Sequence, residues 1–164
     1  MDSTQFPEWS LEDQGQEKML RSQIVENKGT DDVVKQENKK LAESYANRIW
    51  NEKDMDAFNL LHQNCVIHSA LGDFHGAESM KTVVQAWLKG FPDLTVKNLS
   101  VIGEHDLVVI HWQAQGTHQG EFKGFPPTGR PISYAGVTIY RVIQSKISEY
   151  WAYLDMQFLL KQIG

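Results

Sequence analysis

The segment Met80-Lys81-Thr82-Val83-Val84-Gln85-Ala86-Trp87-Leu88-Lys89-Gly90-Phe91-Pro92-Asp93-Leu94 decides the architecture of this chain. Its apolar residues Met80, Val83, Val84, Trp87, Leu88 and Phe91 recur every three or four positions, the one-sided stripe of an amphipathic helix. Gly90 marks the end of that helix, and Pro92, which lacks an N–H, prevents its return. Beyond Pro92 the hydrophobic period drops to two, which predicts strands at about 94–103, 106–117, 131–143 and 146–155. They are joined by Gly103-Glu104-His105-Asp106, by a Gly/Pro-rich connection over 118–130, and by Gln144-Ser145.

Upstream of the deciding segment, Asp31 or Asp32 can cap a helix whose apolar positions Val34, Leu41, Tyr45 and Ile49 carry it to about Asn51. Asp54 caps a short second helix containing Ala57, Leu60 and Leu61, and Cys65-Val66-Ile67-His68 reads as a short strand. A terminal helix is expected over Met156–Gln162. Three helices followed by four long strands predict an α+β domain, one curved sheet packed against the helices.

At 164 residues the chain is long enough for one domain with a sizeable core. No apolar run approaches eighteen residues, so no membrane span is expected. The net charge of -5 disfavours nucleic acid as a partner. That charge is concentrated early: residues 1–36 carry eight acids and four bases, whereas the remaining 128 are nearly neutral. Residues 1–32 therefore read as a polar, flexible leader and 33–164 as the domain. A docked helix around Glu17–Val25 is the alternative for part of that leader. Met1-Asp2-Ser3-Thr4 lacks the basic and apolar regions of a secretory signal, which points to the cytoplasm. A lone Cys65 makes neither an intrachain disulfide nor a cysteine metal site.

Alternation along the strands sorts the candidate chemistry. On 106–117 the face Val108, Ile110, Trp112, Ala114 and Gly116 continues to His118. On the last strand Ile147, Glu149, Trp151, Tyr153 and Asp155 share a parity, putting a carboxylate beside two large aromatics. An acid in an apolar cavity resists ionisation, which suits acid/base work near neutral pH. From spacing alone, however, Asp155 reads first as the cap of the terminal helix. The histidines His62, His68, His75, His105, His111 and His118 show neither H-x-H nor HExxH spacing, so no metal site is expected. His68 and His118 end strands and can face one concavity. GxGxxG, Walker and GxSxG motifs are absent.

The stretch Gly116-Thr117-His118-Gln119-Gly120-Glu121-Phe122-Lys123-Gly124-Phe125-Pro126-Pro127-Thr128-Gly129-Arg130, then Lys146-Ile147-Ser148-Glu149-Tyr150-Trp151-Ala152-Tyr153-Leu154-Asp155 and Leu159-Leu160-Lys161-Gln162-Ile163-Gly164, resembles the SnoaL-like polyketide cyclases, or ester cyclases. Trp50-Asn51-Glu52-Lys53-Asp54-Met55-Asp56 and Phe91-Pro92-Asp93-Leu94 resemble them too, so the likeness covers roughly residues 36–164. It implies an NTF2-like cone, a strongly bent sheet around a deep pocket, in homodimers or higher assemblies. It also implies ring closure by intramolecular aldol condensation without metal or organic cofactor. In that likeness Asp155 is the acid/base and His68 and His118 match family histidines, either of which is expected as its catalytic partner, donating a hydrogen bond to the forming enolate; Trp112, Trp151, Tyr140, Arg141 and Trp87 are the expected pocket residues, although Trp112 and Trp151 read most economically as core. The histidine that the cyclases carry on the strand before the acid's strand is missing from 131–143, where Tyr140 or Arg141 stands. Two functions are therefore expected: cofactor-free acid/base chemistry on a hydrophobic carbonyl compound, or a non-catalytic small-molecule-binding or dimerisation module of the same fold.

Overall fold

The computed structural model describes residues 11–164, with the side chains of Lys18 and Met19 and of 29–164. Helix α1 spans Leu11–Asn47. It begins well before the expected cap at Asp31 or Asp32, and the predicted leader is helical from Leu11 onward because Glu, Gln, Lys, Arg, Leu and Met dominate its sequence. Residues 1–10 of that leader lie outside the described residues. The described residues fall into two units that divide between Val34 and Lys35. The second contains the end of α1 and everything that follows.

After α1 the helix widens into a π turn over Arg48–Glu52, closed by Lys53 in the left-handed conformation at φ 57°. The Lys53 ammonium donates to the carbonyls of Trp50 and Leu94 and ties this turn to the start of the sheet. Asp54 does cap the next helix, a 3-10 segment Met55–Leu60: its carboxylate accepts from Asp56 N at 2.9 Å. Strands β1 (Leu61–Ser69) and β2 (Gly72–His75) form a hairpin, of which sequence reading found only the middle of β1. Helix α2 (Ala77–Gly90) buries Met80, Val83, Val84 and Trp87, the stripe that opened the sequence. Strands β3 (Thr95–Glu104), β4 (Leu107–Thr117), β5 (Pro131–Ile143) and β6 (Lys146–Leu154) follow, and α3 (Met156–Ile163) ends the chain. The sheet order is β2-β1-β6-β5-β4-β3, antiparallel except for the β1/β6 pair.

The sheet's inner face packs on the end of α1, the π turn and α2 through Tyr45, Ile49, Val84, Trp87, Ile110, Tyr134 and Tyr140, all buried. One irregularity decides which residues of β6 face inward. Arg141 pairs with Glu149, but Val142 pairs with Ile147, so Ser148 is an extra residue in β6. A bulge of this kind reverses the alternation. Ile147 is buried before it, and the even residue Tyr150 is buried after it.

The 118–130 connection docks on the end of α2, where Gln119 N and Gly120 N both donate to Gly90 O. Any Cβ at Gly120 would stand 1.9 Å from Lys89 O, so only glycine permits this approach. A second tie comes from Asp93, whose carboxylate accepts from Thr117 N and Thr117 Oγ1, each at 2.7 Å. Burial pushes the Asp93 carboxyl upward, but these hydrogen bonds outweigh it and hold it below the usual carboxylate range. A depressed carboxyl contributes stability that is complete above its unfolded value of about 4 and is lost as pH falls through the folded value. Asp93→Asn is therefore expected to lower the urea midpoint at pH 6 and to lose less than the wild type between pH 6 and pH 3. Urea titrations at the two pH values check this.

Candidate functional site

Between the sheet and the helices lies a slot. Its walls are Trp50 from the π turn, Val83 and Trp87 from α2, Ile110 and Trp112 from β4, Tyr134, Thr138 and Tyr140 from β5, and Tyr150, Ala152 and Leu154 from β6. Leu94, Val96, Asn98, Ala46, Ser69 and Ala70 complete it. The slot holds about 590 Å³ of atom-free space counting its mouth, yet the centre of a water-sized sphere can range over only about 50 Å³ of it. It is narrow.

Alternation explains the lining. The even residues of β4 and β5 point inward, and after the Ser148 bulge so do those of β6. Trp112 lies opposite Gly136 in the β4/β5 register. A Cβ at Gly136 would meet Trp112 Cζ2 at 2.4 Å, so the missing side chain is what lets the indole cross β5. From there Trp112 Nε1 donates to Thr138 Oγ1 at 2.9 Å. Burial raises the phenols of Tyr134, Tyr140 and Tyr150, which keeps them protonated hydrogen-bond donors. No Asp, Glu, His, Lys or Arg is among the lining residues.

The residues singled out in the sequence therefore fall into three places. Trp87, Trp112 and Tyr140 line the slot. Trp151, Arg141 and His68 do not, because the bulge turns odd residues of β6 outward and Arg141 and His68 share that outer face. There His68 stacks on Trp151 with centroids 5.5 Å apart, and the Arg141 guanidinium sits 5.8 Å from the same ring. His68 Nδ1 is 3.2 Å from Asp73 Oδ1 and its Nε2 is 3.2 Å from Glu149 Oε1. Arg141 donates to Glu149 at 3.4 Å and to Asp106 at 2.6 Å.

Asp155 and His118 occupy the third place, at the strand ends. Asp155 is exposed, and its carboxylate caps α3 by accepting from Phe158 N at 2.9 Å. The expectation of a carboxyl among aromatics in the cavity is thus corrected: Asp155 is outside the lining, and its outward parity follows from the bulge. His118 is wholly buried, but in the 118–130 connection, with Nδ1 3.0 Å from Thr128 Oγ1 and its ring against Phe91. It is not among the slot's lining residues; its ring meets Phe91, whose own ring lies 6.1 Å from that of Trp87 on the slot wall. Sequence reading missed Tyr134, Thr138 and Tyr150. The first two share the parity of Tyr140 on one predicted strand and were available from that signal; Tyr150 needed the bulge.

Comparison with known proteins gives this geometry a lineage. The family model of the SnoaL-like polyketide cyclases matches residues 40–163. The chain belongs to that family. AclR from Streptomyces galilaeus, described as a candidate hydroxylase, shares 30% identity with this SnoaL-like chain, covering 79% of it and 97% of AclR at a TM-score of 0.71. IdmH from Streptomyces antibioticus, a candidate polyketide cyclase, shares 30% identity over 77% of this chain and 98% of its own, with a TM-score of 0.68. A SnoaL-like polyketide cyclase candidate from Jannaschia sp. CCS1 has the same fold at 20% identity and a TM-score of 0.74. No curated protein matches. The six-stranded curved sheet with its helices is the NTF2-like cone. Among the described residues, no helix is long and apolar enough to cross a membrane.

Proposed function

We propose that the slot of this SnoaL-like protein binds an uncharged, flat, apolar carbonyl compound. The observation that carries this reading is the wholly uncharged lining, with aromatic walls and only neutral hydroxyl, indole and amide donors. Burying apolar surface there is favourable by about 25 cal/mol per Å². An unpaired charge buried there costs several kcal/mol, so a carboxylate or an amine is excluded. Three tryptophans, Trp50, Trp87 and Trp112, stand on the walls and report occupancy. Titration with 2-acetylnaphthalene is expected to quench their fluorescence saturably, and 2-naphthoate is expected to leave it unchanged. Equal quenching by both overturns the reading.

A second reading adds chemistry to binding, and the family match, which spans Asp155, favours it, although the Asp155 side chain faces away from Leu154 on the slot wall. Asp155 would release the Phe158 N–H and take a proton alpha to the ligand carbonyl; the enolate carbon would add to a second carbonyl of the same molecule, and Asp155 would return the proton to the alkoxide so formed, as the family likeness implies. Deuterium exchange into the methyl group of bound 2-acetylnaphthalene tests it. Exchange by the wild type that is lost in Asp155→Asn, with unchanged binding, supports the role. Equal exchange by Asp155→Asn removes Asp155 from the chemistry, and binding without exchange leaves a binding module.

A further inference from the structure

Among the described residues, Asn98 supplies the one side-chain carboxamide of the slot wall, and neither of its edges has a hydrogen-bond partner. Other polar groups around it are committed. Thr138 Oγ1 accepts from Trp112 Nε1 at 2.9 Å. Ser69 Oγ donates to Gly72 O and accepts from Leu71 N. Two residues before Asn98, the backbone of Val96 is paired with Asn51, whose Oδ1 accepts from Val96 N at 2.8 Å and whose Nδ2 donates to Val96 O at 2.9 Å. That carboxamide is spent on holding the edge strand β3; the one at Asn98 is not. The register explains why the space in front of it stays open. Asn98 pairs with Trp112 on β4, and Trp112 pairs with Gly136 on β5. The indole leans over Gly136, where a Cβ would meet it at 2.4 Å, and so away from β3. Directly after Asn98 the strand carries an extra residue, Leu99, and such a bulge re-aims the side chains beside it. Asn98 is half-buried on the slot wall, whereas Leu99 is exposed.

A carboxamide carries donors on its nitrogen and lone pairs on its oxygen, side by side in one plane. An indole N–H only donates, and a phenol can turn its single O–H, so neither offers a fixed donor next to a fixed acceptor. A guest that fills the slot shuts the Asn98 amide off from solvent, and each edge it leaves unpaired costs free energy. We propose that Asn98 is the specificity-determining residue of the slot, selecting a neutral guest that carries an N–H or O–H beside a carbonyl oxygen, the arrangement of a lactam. Nδ2 donates to the guest's carbonyl while Oδ1 accepts from its N–H. This rests on the reading of the slot as the ligand site and adds which carbonyl compounds it prefers. A site built to pair a donor rejects an analogue without one more strongly than an apolar wall can.

The test compares 2-quinolone with coumarin, two bicyclic carbonyl compounds of one shape that differ in a ring N–H against a ring oxygen. In calorimetric titrations the wild type is expected to favour 2-quinolone by at least roughly tenfold, about one hydrogen bond. Asn98→Leu, which keeps the size and removes both polar edges, is expected to bind the two equally. In nitrogen-15 spectra of the wild type, one Asn98 Nδ2 proton is expected to move downfield when 2-quinolone binds. Equal binding of both compounds by the wild type, or a preference that survives in Asn98→Leu, overturns the proposal and leaves the slot standing as a ligand site. If Asn98→Leu does not fold, the wild-type spectra decide, and bound 2-quinolone with an unmoved Asn98 amide overturns it. If 2-acetylnaphthalene binds and neither bicycle does, the proposal alone is overturned. If none of the three binds, the ligand-site reading fails and the proposal falls with it.

Discussion

Gly136→Ala is expected to destabilise the protein by about 3 kcal/mol, because no small movement makes room for the added methyl. On one side stands Trp112, with Cζ2 and Cη2 at 2.4 and 2.5 Å from the new Cβ, and on the other Tyr153 O at 2.5 Å. The indole could rotate away, but it would then give up Thr138 and unpack from Tyr134, whose ring it meets edge-on at 5.8 Å. The carbonyl belongs to β6 and cannot move without disturbing the strand. For a chain of this size the expected loss corresponds to roughly 6–12 °C in melting temperature. Thermal melts measure it, and near-ultraviolet circular dichroism reports the displaced indole. A variant with unchanged melting and an unchanged tryptophan signal would show that the strand pair is looser than described.

The second large effect concerns the ligand. Ala152 faces the slot opposite Thr138 in the β5/β6 register, and its methyl leaves the space that the proposed guest would fill. Ala152→Phe puts a ring into that space. Binding of 2-acetylnaphthalene is expected to weaken at least about 100-fold, since the narrow slot cannot hold two flat rings at one level. Stability is expected to change little, because the new ring enters a cavity rather than a filled core. Fluorescence titration alongside thermal melting separates lost binding from lost folding.

The legibility of this protein has a clear dividing line. The stripe Met80–Phe91, the period change after Pro92 and the turn residues were enough to place α2 and the four long strands, because each is dictated by local alternation. Inward residues on β4 were legible for the same reason: Val108, Ile110, Trp112 and Ala114 do face the core side. On β6 the same counting failed. Starting from Ile147, which is buried, it carried Glu149, Trp151 and Asp155 inward, whereas Ser148 adds one residue and reverses the alternation. Nothing in Lys146-Ile147-Ser148-Glu149 announces that bulge, which is a property of the pairing with β5. His118 misled differently. It keeps the parity of Trp112, but lies past the end of β4 and is committed to Thr128 and the connection it anchors. The stretch 11–32 read first as a leader, with a helix around Glu17–Val25 only as the alternative, because a polar stretch rich in helix formers has the composition of a leader and the propensity of a helix.

The central claim is that the ligand site is the slot between Trp87, Trp112, Tyr150 and Ala152, on the opposite face of β6 from Trp151 and His68. Its most direct test is the set of nuclear Overhauser contacts made by bound 2-acetylnaphthalene. Contacts from the naphthalene protons to the Ala152 methyl and to the Trp112 indole are predicted. Saturable binding with contacts to Trp151, Asp155 or Phe158 and none to Ala152 would contradict it.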